Sequence, residues 1–408
     1  MFKAFKYNLR FLLKEVELPH PLAMADGLLK LKNGPDSPRG PKPLNTLDLP
    51  YSHIKRLERI ADYCSMPSRV ADEHRYREVY KFTTPHNNFY FKKFNISYCK
   101  VPKVGCTFMM QMFDILTHGT TDLSNTPRVS IHKSTRLYKN NDLKGIPTLS
   151  AARDPYSRLY SAYVDKLVLP NIYMTNLKIR NIAPKQARLK ANGSNSLCAS
   201  NITFQEFLDY VIVQAKGLTN DIMNMHWAPI YSICNFCETN NYIIVKQESF
   251  SDDALDFINT LEVSNTTVES VRALLTSKRI ETTISGIVPV VLENQPMWKG
   301  CLKRMFVLEK LWLSFQIQGY ISANRPFPTA MFMDAVKTDI VKAQVISDLL
   351  VQAAKDSNLT KSESKAQRHS YLVRAYTTIS PSTLETIKDI FRADFKIFDY
   401  DMTPPSFS

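Results

Sequence analysis

The first residues that could do chemistry lie in a short loop, PKVGCTF, which runs from Pro102 to Phe108. An apolar run before it, Ile96–Val101, predicts a short strand, and the run after it, Phe108–Leu116, predicts a core helix. Backbone N–H groups at the start of a helix are unpaired, and the helix dipole favours negative charge there. Gly105 lets the backbone approach a ligand, and Lys103 brings a positive charge. The loop therefore predicts an anion cradle; the alternative is a buried strand–turn–helix with a solvated lysine.

A second stretch with suitable chemistry begins at Arg153 and reads RDPYSRLYSAYVDK. It follows another predicted strand, Leu149–Ala152. Asp154 stands where a helix N-cap belongs, and Pro155 occupies the first helical position, where proline is preferred. This places Arg153 at the end of a strand and Ser161 about two turns into the next helix. Because an arginine fork and a nearby hydroxyl suit a phosphate, the stretch predicts a phosphate site.

Together the two stretches resemble the 5′-phosphosulfate loop and the 3′-phosphate motif of Golgi carbohydrate sulfotransferases. The closest group acts on chondroitin, dermatan and terminal N-acetylgalactosamine. The resemblance continues, in the family's order, in HWAPIYSICNFC at 226–237, YIIVKQESFSDDA at 242–254 and IFRADFKIFDYD at 390–401. It implies that the sulfuryl donor is 3′-phosphoadenosine 5′-phosphosulfate and that the acceptor is a sugar hydroxyl of a glycosaminoglycan or a glycoprotein glycan.

The resemblance also implies roles for single residues. Lys103 is expected to stabilise the leaving oxygen, since sulfuryl transfer, like phosphoryl transfer, mainly requires positioning and charge stabilisation. Arg153 and Ser161 are expected to hold the 3′-phosphate, and no metal is expected. Asp154 and Arg158 are expected to be chiefly structural, as a cap and on the helix surface. The residues expected to bind the sulfuryl donor are Pro102, Lys103, Val104, Gly105, Cys106, Thr107, Phe108, Arg153, Asp154, Pro155, Ser157 and Ser161.

The acceptor hydroxyl needs a general base, and three side chains are candidates. His132 is the first choice, because related glycan sulfotransferases carry a histidine between the two motifs. His226 is the runner-up; we expect its motif to be chiefly structural, with Trp227 in the core and the imidazole bonded to a backbone group. Glu248 is a weaker candidate.

One departure from the family pattern keeps a second function open. Where the family continues with Asn-Trp-Lys-Arg after the cradle threonine, this chain has Phe108-Met109-Met110-Gln111. An amide and two cations are missing beside the expected phosphate. The alternative function is a catalytically degenerate protein of the same fold that binds anionic glycans. A P-loop kinase is disfavoured, because the pattern Gly-x4-Gly-Lys-Ser/Thr is absent.

The charge of the chain suits anionic partners. It has 408 residues, a formal net charge of +14 and a pI of about 9.3. Such a field attracts polyanions, including acidic glycans and a nucleotide with several phosphates. Nucleic acid is disfavoured as a partner, since no zinc-finger or RNP signature is present.

Seven cysteines leave at least one unpaired within the chain. Disulfides that involve Cys64, Cys234 or Cys237 would fit a secretory compartment. Cys99 and Cys106 are expected to be buried free thiols. Structural zinc at the Cys234–Cys237 pair is disfavoured, because no second CxxC or histidine pair accompanies it.

The order of strands and helices predicts an α/β protein with a P-loop-like sulfotransferase fold. A central parallel sheet would be flanked by helices, with residues 51–408 as the sulfotransferase domain. Residues 1–50 have a stem-like composition, and a divergent helical insertion is expected at about 262–375. The family resemblance implies a type II membrane protein of the Golgi lumen. No apolar run here reaches the length of a membrane span. Three explanations are open: the true first exon is missing from the sequence, the protein is anchored differently, or it has lost the Golgi address; we expect the first.

Overall fold

The computed structural model describes ten ranges of the chain, and the structural statements below concern these ranges: 50–67, 88–119, 145–169, 202–218, 223–234, 236–237, 242–276, 279–293, 302–336 and 342–406. Residues 1–49 lie outside them, so the stem-like segment stays a prediction, as do the predicted domain bounds. His132 also lies outside the described residues.

A small sheet lies at the centre of the fold. Its strands are β1 (Asn88–Phe91), β2 (Ile96–Cys99), β3 (Thr148–Ala152) and β4 (Tyr242–Lys246), side by side in that order. The last three are parallel, with Leu149 in register with Tyr98 on one side and with Ile243 on the other. Their carboxyl ends therefore meet at one edge of the sheet, where ligands of open α/β sheets bind.

The α/β class and the parallel centre of the sheet are confirmed, whereas β1 adds an antiparallel pairing with β2. The connection between these two strands is one 3-10 turn, Lys92–Phe94, followed by Asn95 in the left-handed conformation (φ 50°). A parallel pairing would need a crossover of a dozen or more residues, so a connection this short permits only antiparallel strands.

Helices surround the sheet. The first seven are α1 (Tyr51–Ser65), α2 (Cys106–His118), α3 (Pro155–Tyr163), α4 (Phe204–Ala215), α5 (Ile230–Cys234), α6 (Phe250–Asn259) and α7 (Asn265–Thr276). The later ones are α8 (Arg279–Glu293), α9 (Arg304–Ile317), α10 (Thr329–Val336), α11 (Ala343–Ser357), α12 (Lys361–Thr377), α13 (Pro381–Ile390) and α14 (Arg392–Phe398). A π-helical turn, Val164–Val168, continues α3. None of the described helices has both the length and the apolar character that crossing a membrane requires.

The predicted helix starts follow from capping chemistry. Asp154 caps α3 by accepting a hydrogen bond from the N–H of Ser157, and Pro155 is the first helical residue. Thr203 and Glu206 form a reciprocal capping box at the start of α4. Both caps were readable from the sequence, because each places an oxygen where the first turn leaves N–H groups unpaired.

Helices α8 to α11 build a second apolar core. Its most buried members are Ile284, Val288, Val307, Leu311, Phe315, Ile321, Phe332 and Ile346. Within this region α10 ends at Val336 and α11 begins at Ala343. The two helices pack on different partners, α10 on α9 and α11 on α8.

Two disulfides join elements that are distant in the sequence. Cys64 of α1 pairs with Cys237, and Cys99 at the end of β2 pairs with Cys234 of α5. The expectation that Cys99 is a free thiol is wrong, because the strand end faces α5 at a Cα separation of 5.9 Å, within bonding range. Cys106 is unpaired and half-buried.

Removing the bridge between β2 and α5 should destabilise the fold. We expect Cys99→Ser combined with Cys234→Ser to lower the free energy of unfolding by about 2–5 kcal/mol, since the bridge closes a long loop. Urea denaturation measures this loss. Cys106→Ser is the control, because that thiol is unpaired; an equal loss in the control, or none in the double variant, would contradict the stabilising role of the bridge.

Candidate active site

The cradle loop has an unusual backbone. Lys103 (φ 70°) and Gly105 (φ 89°) both adopt the left-handed conformation, which costs a residue with a Cβ roughly 1–2 kcal/mol. A side chain at 105 would also be crowded, since an added Cβ would lie 3.0 Å from Cε2 of Phe250 and 3.2 Å from Oε1 of Gln247. Gly105 also precedes the first residue of α2, and no side chain caps this helix. The turn thus brings the backbone to the start of a helix, as anion binding needs.

The two predicted stretches meet at the carboxyl edge of the sheet. The Nη1 group of Arg153 donates a hydrogen bond to the carbonyl oxygen of Lys103, at 3.1 Å. Burial lowers the pKa of Arg153, while the carboxylates of Glu248 and Asp154 act in the opposite direction. The guanidinium stays charged at neutral pH, because an arginine pKa starts far above 7.

Arg158 is the functional residue that sequence reasoning missed. We expected it on the helix surface, and this is wrong: it is 1% exposed. Its Nε donates to the carbonyl of Pro102 at 3.1 Å, Nη1 to the carbonyl of Ala228 at 2.6 Å, and Nη2 to the carbonyl of Met225 at 3.0 Å. Burial lowers its pKa to about 10, so it remains charged at neutral pH. One side chain thus joins α3, the cradle and the segment that carries His226.

The side chain of Lys103 points towards the end of α3. Its Nζ lies 3.2 Å from Oδ2 of Asp165, and the same oxygen lies 3.0 Å from Nζ of Lys166. Asp165 and Lys166 both belong to the π-helical turn. Turns of this type occur often at functional sites.

His226 lies beside this group of charges. Burial and the ammonium groups of Lys166 and Lys103 hold the pKa of His226 well below its usual value. Oδ1 of Asn224 is 2.9 Å from the backbone N–H of His226 and 2.7 Å from Nδ1 of its ring. A backbone N–H can only donate, so that atom of Asn224 is the acceptor oxygen, and Nδ1 must carry a proton. The Nε2 atom of the neutral ring therefore holds the lone pair, and it has no hydrogen-bond partner among the described residues.

The expectation that the His226 imidazole bonds to a backbone group is wrong, because its partner is the side chain of Asn224. The expectation for Trp227 is confirmed: it is 2% exposed, and its Nε1 donates to Gln214 at 2.8 Å. Trp227 thereby anchors in the core the segment on which His226 stands.

Glu248 is tied to other groups. Its Oε1 accepts from the backbone N–H of Asp154 at 3.2 Å, and its Oε2 accepts from the hydroxyl of Tyr400 at 2.8 Å. With both oxygens engaged, the carboxylate supports the start of α3 and connects it to the C-terminal segment. This arrangement speaks against Glu248 as the general base.

The remaining predicted residues divide into two groups. Pro102, Val104, Phe108 and Pro155 are buried, so only their backbones could face a ligand. Half-buried side chains belong to Cys106, Thr107, Ser157 and Ser161. All stand on the cradle, on the first turn of α2, or on α3.

The residues that replace the family's Asn-Trp-Lys-Arg mostly face the core. Phe108 is 4%, Met109 0% and Met110 2% exposed, and the ring of Phe108 packs edge-on against Phe250 with centroids 4.9 Å apart. The start of α2 therefore gains apolar packing at positions where the family carries polar groups.

Metal ligation was not expected, and this stays a prediction. Across the described ranges, no cluster of three or more His, Cys, Asp or Glu side chains is arranged to hold a metal ion.

Comparison with known proteins bears on the whole site. Residues 86–286 match the model of the sulfotransferase family. That range contains the cradle, α3 and the segment around His226. No solved structure gives a significant match.

Several curated proteins are similar to this chain. Carbohydrate sulfotransferase 9 of Homo sapiens is 27% identical over 216 residues, which are 51% of this chain and 47% of that protein. Carbohydrate sulfotransferase 8 of Homo sapiens is 27% identical over 177 residues, covering 41% and 40%. Carbohydrate sulfotransferase 11 of Danio rerio is 28% identical over 217 residues, covering 50% and 59%. The chain thus spans about half the length of these relatives.

The resemblance predicted from the cradle and from the Arg153 motif is confirmed by both comparisons. The matched range holds β2, β3 and β4 and the helices between them, which form the centre of the fold. Over residues 86–286, about half of its length, the chain is similar to the sulfotransferase family.

Proposed function

We propose that this protein transfers a sulfuryl group from 3′-phosphoadenosine 5′-phosphosulfate to a sugar hydroxyl. The observation that carries the proposal is the hydrogen bond from Arg153 to the carbonyl of Lys103. It brings the predicted 3′-phosphate motif and the predicted phosphosulfate loop to one edge of the sheet, within the range that the family model covers.

The residues present suit the proposed nucleotide. Phe250 and Gln247 pack closely against Gly105, where a Cβ would be crowded, and the turn leads into a helix start that no side chain caps. The backbone N–H groups of Gly105, Cys106 and Thr107, together with the Thr107 hydroxyl, would hold the 5′-phosphate. Arg153 and Ser161 would hold the 3′-phosphate, which distinguishes this nucleotide from ATP.

Lys103 would stabilise the charge that develops on the leaving oxygen. Sulfuryl transfer by in-line displacement places negative charge on that oxygen and on the equatorial oxygens of the moving group, much as phosphoryl transfer does. Lys103 is suited to this role because its backbone is fixed by Arg153 and its ammonium by Asp165. Fixed charge needs little reorganisation during the reaction, which is the main source of electrostatic catalysis.

The acceptor hydroxyl would lose its proton to a histidine. His226 has the neutral ring, a lone pair on Nε2 that is not engaged within the described residues, and the electrostatic proximity to Lys103 that suit a base. His132, the first choice from sequence, stays a prediction, since it lies outside the described residues.

Charge and redox chemistry support the proposed acceptor class and compartment. A net charge of +14 suits an anionic glycan, and the relatives' names point to carbohydrate. We propose a chondroitin- or dermatan-like chain, or terminal N-acetylgalactosamine, as acceptor. Two disulfides suit a secretory lumen, which supports the Golgi lumen as the proposed location. Attachment to the membrane as a type II protein rests on the family resemblance alone.

A second candidate function has one observation in its favour. Phe108 and Met110, at positions where the family carries an amide and a lysine, are apolar and buried at the start of α2. If the lost cations are not replaced, the fold would bind anionic glycans without transferring sulfate.

Removing the Lys103 ammonium should nearly abolish transfer. We expect Lys103→Ala to lower turnover by roughly 10²-fold or more, because it removes the charge that stabilises the leaving oxygen. Transfer of radiolabelled sulfate from the nucleotide to desulfated chondroitin measures this loss. Lys92→Ala, at an exposed lysine beside β1, is the control. Equal turnover in wild type and Lys103→Ala would remove Lys103 from the mechanism, and no turnover in the wild type would favour the glycan-binding alternative.

Substitution of each histidine should identify the base. We expect His226→Gln to lower turnover by roughly 10²-fold or more while nucleotide affinity is kept, since only proton removal is lost. In the wild type, turnover should rise with pH, because the base is active when it is neutral. The midpoint of that rise should lie below the usual histidine pKa, because the pKa of His226 is depressed. His132→Ala is the companion variant. Unchanged turnover in His226→Gln, with a loss in His132→Ala, would assign the role to His132.

A further inference from the structure

We propose that Asp165 and Lys166 are positioning residues for sulfuryl transfer: the Asp165 carboxylate holds the ammonium groups of Lys103 and Lys166 together beside the imidazole of His226. The proposal rests on the proposed function and adds the two residues that organise its charged groups. Neither residue belongs to the predicted set of binding or catalytic residues.

The first support is the geometry of the ion pairs. One oxygen, Oδ2 of Asp165, lies 3.2 Å from the Lys103 ammonium and 3.0 Å from the Lys166 ammonium. The side chains of Lys103 and Lys166 are 15% and 14% exposed, and that of Asp165 is 24% exposed. Ion pairs with this little exposure are screened less by salt than surface pairs.

The second support is the position of Asp165 on α3 and its π-helical extension. Asp165 follows Arg158 by seven residues, about two turns, so both project from the same side of the helix. Arg158 binds the carbonyl of Pro102, and Asp165 binds the side chain of the next residue, Lys103. Side chains of the helix therefore bind the cradle loop at two successive residues: at the backbone carbonyl of Pro102 and at the charged side chain of Lys103.

The third support is that two cations share one carboxylate. A lysine ammonium has three N–H groups, so Lys103 can donate to the leaving oxygen while it stays paired with Asp165. Lys166, 3.0 Å from the same carboxylate oxygen, keeps Asp165 compensated as charge develops on the leaving oxygen. With a single cation, part of the compensation of a half-buried carboxylate would be lost, which costs free energy.

The same group of charges acts on His226. The ammonium groups of Lys166 and Lys103 and the guanidinium of Arg158 lower the pKa of His226, and the carboxylate of Asp165 raises it. Removing the carboxylate and removing a cation should therefore shift the pKa of His226 in opposite directions. Asp165→Asn removes the group that raises the pKa and should lower it further. Lys166→Met removes a cation and should raise it.

The experiment measures the same variants in two ways. The first is an NMR titration of ¹³C-labelled histidine in the full-length protein without nucleotide, with the His226 resonance assigned by His226→Gln. The second is turnover with the sulfuryl nucleotide and desulfated chondroitin from about pH 4 to 8, a range that brackets histidine titration. We expect the NMR pKa and the rise of turnover with pH to move down in Asp165→Asn and up in Lys166→Met.

Turnover measurements should also distinguish a positioning role of Asp165 from a role in the stability of the fold. We expect Asp165→Asn to reduce turnover on the order of 10²-fold, as a misplaced catalytic group does, with the affinity for 3′-phosphoadenosine 5′-phosphate and the melting temperature nearly unchanged. Asp165→Glu should restore part of the turnover, because it restores the carboxylate. Asp389→Asn is the matched control: its carboxylate, 18% exposed, also pairs with a cation, Arg392, away from the cradle.

The outcomes distinguish the two proposals. If the wild type transfers sulfate but Asp165→Asn and Lys166→Met leave the turnover and the His226 titration unchanged, or shift that titration in the same direction, the positioning role is overturned and the proposed function stands. If the wild type transfers no sulfate, the proposed function fails, and the catalytic role of the pair fails with it.

Discussion

The buried guanidinium of Arg158 is the interaction on which the candidate site depends. A charge removed from water is tolerated only when its hydrogen-bonding groups are satisfied. Arg158 meets this condition by donating to the carbonyls of Pro102, Ala228 and Met225. Those carbonyls belong to the cradle loop and to the segment around His226, so burying this charge fixes both segments against α3. The position of Lys103 relative to His226 follows from that constraint.

A second buried charge, Asp394, binds the same segment. Asp394 of α14 is 1% exposed and accepts hydrogen bonds from the N–H groups of Ile230 and Tyr231, at 2.7 and 2.8 Å. Burial raises its pKa to about 6, while those two bonds and Arg158 act in the opposite direction. The C-terminal helix thus caps α5, and Tyr400 beyond it holds Glu248 at the start of α3. Residues near the end of the chain therefore help to build a site whose chemical groups come from the middle.

The sequence was sufficient for the elements whose signals are local. The strand before Lys103, the caps at Asp154 and Thr203 and the requirement for glycine at 105 follow from periodicity, from capping chemistry and from the pattern of the loop. The family resemblance supplied the pairing of two distant loops. Local patterns could not predict that Arg158 is buried. An arginine on a helix is expected to be exposed unless the groups that accept its hydrogen bonds are known. The Cys99–Cys234 bridge and the pairing of Lys103 with Asp165 likewise depend on which elements become neighbours in the fold.

The central claim is that the cradle and the Arg153 motif bind opposite ends of one nucleotide. Calorimetry with 3′-phosphoadenosine 5′-phosphate and with adenosine 5′-phosphate, in wild type and Arg153→Ala, tests it most directly. Our account predicts that the wild type binds the 3′-phosphorylated nucleotide more tightly, and that Arg153→Ala loses about 1.5–3 kcal/mol of binding free energy for that nucleotide only. Equal affinity of the wild type for both nucleotides, or an equal loss for both in the variant, would contradict it.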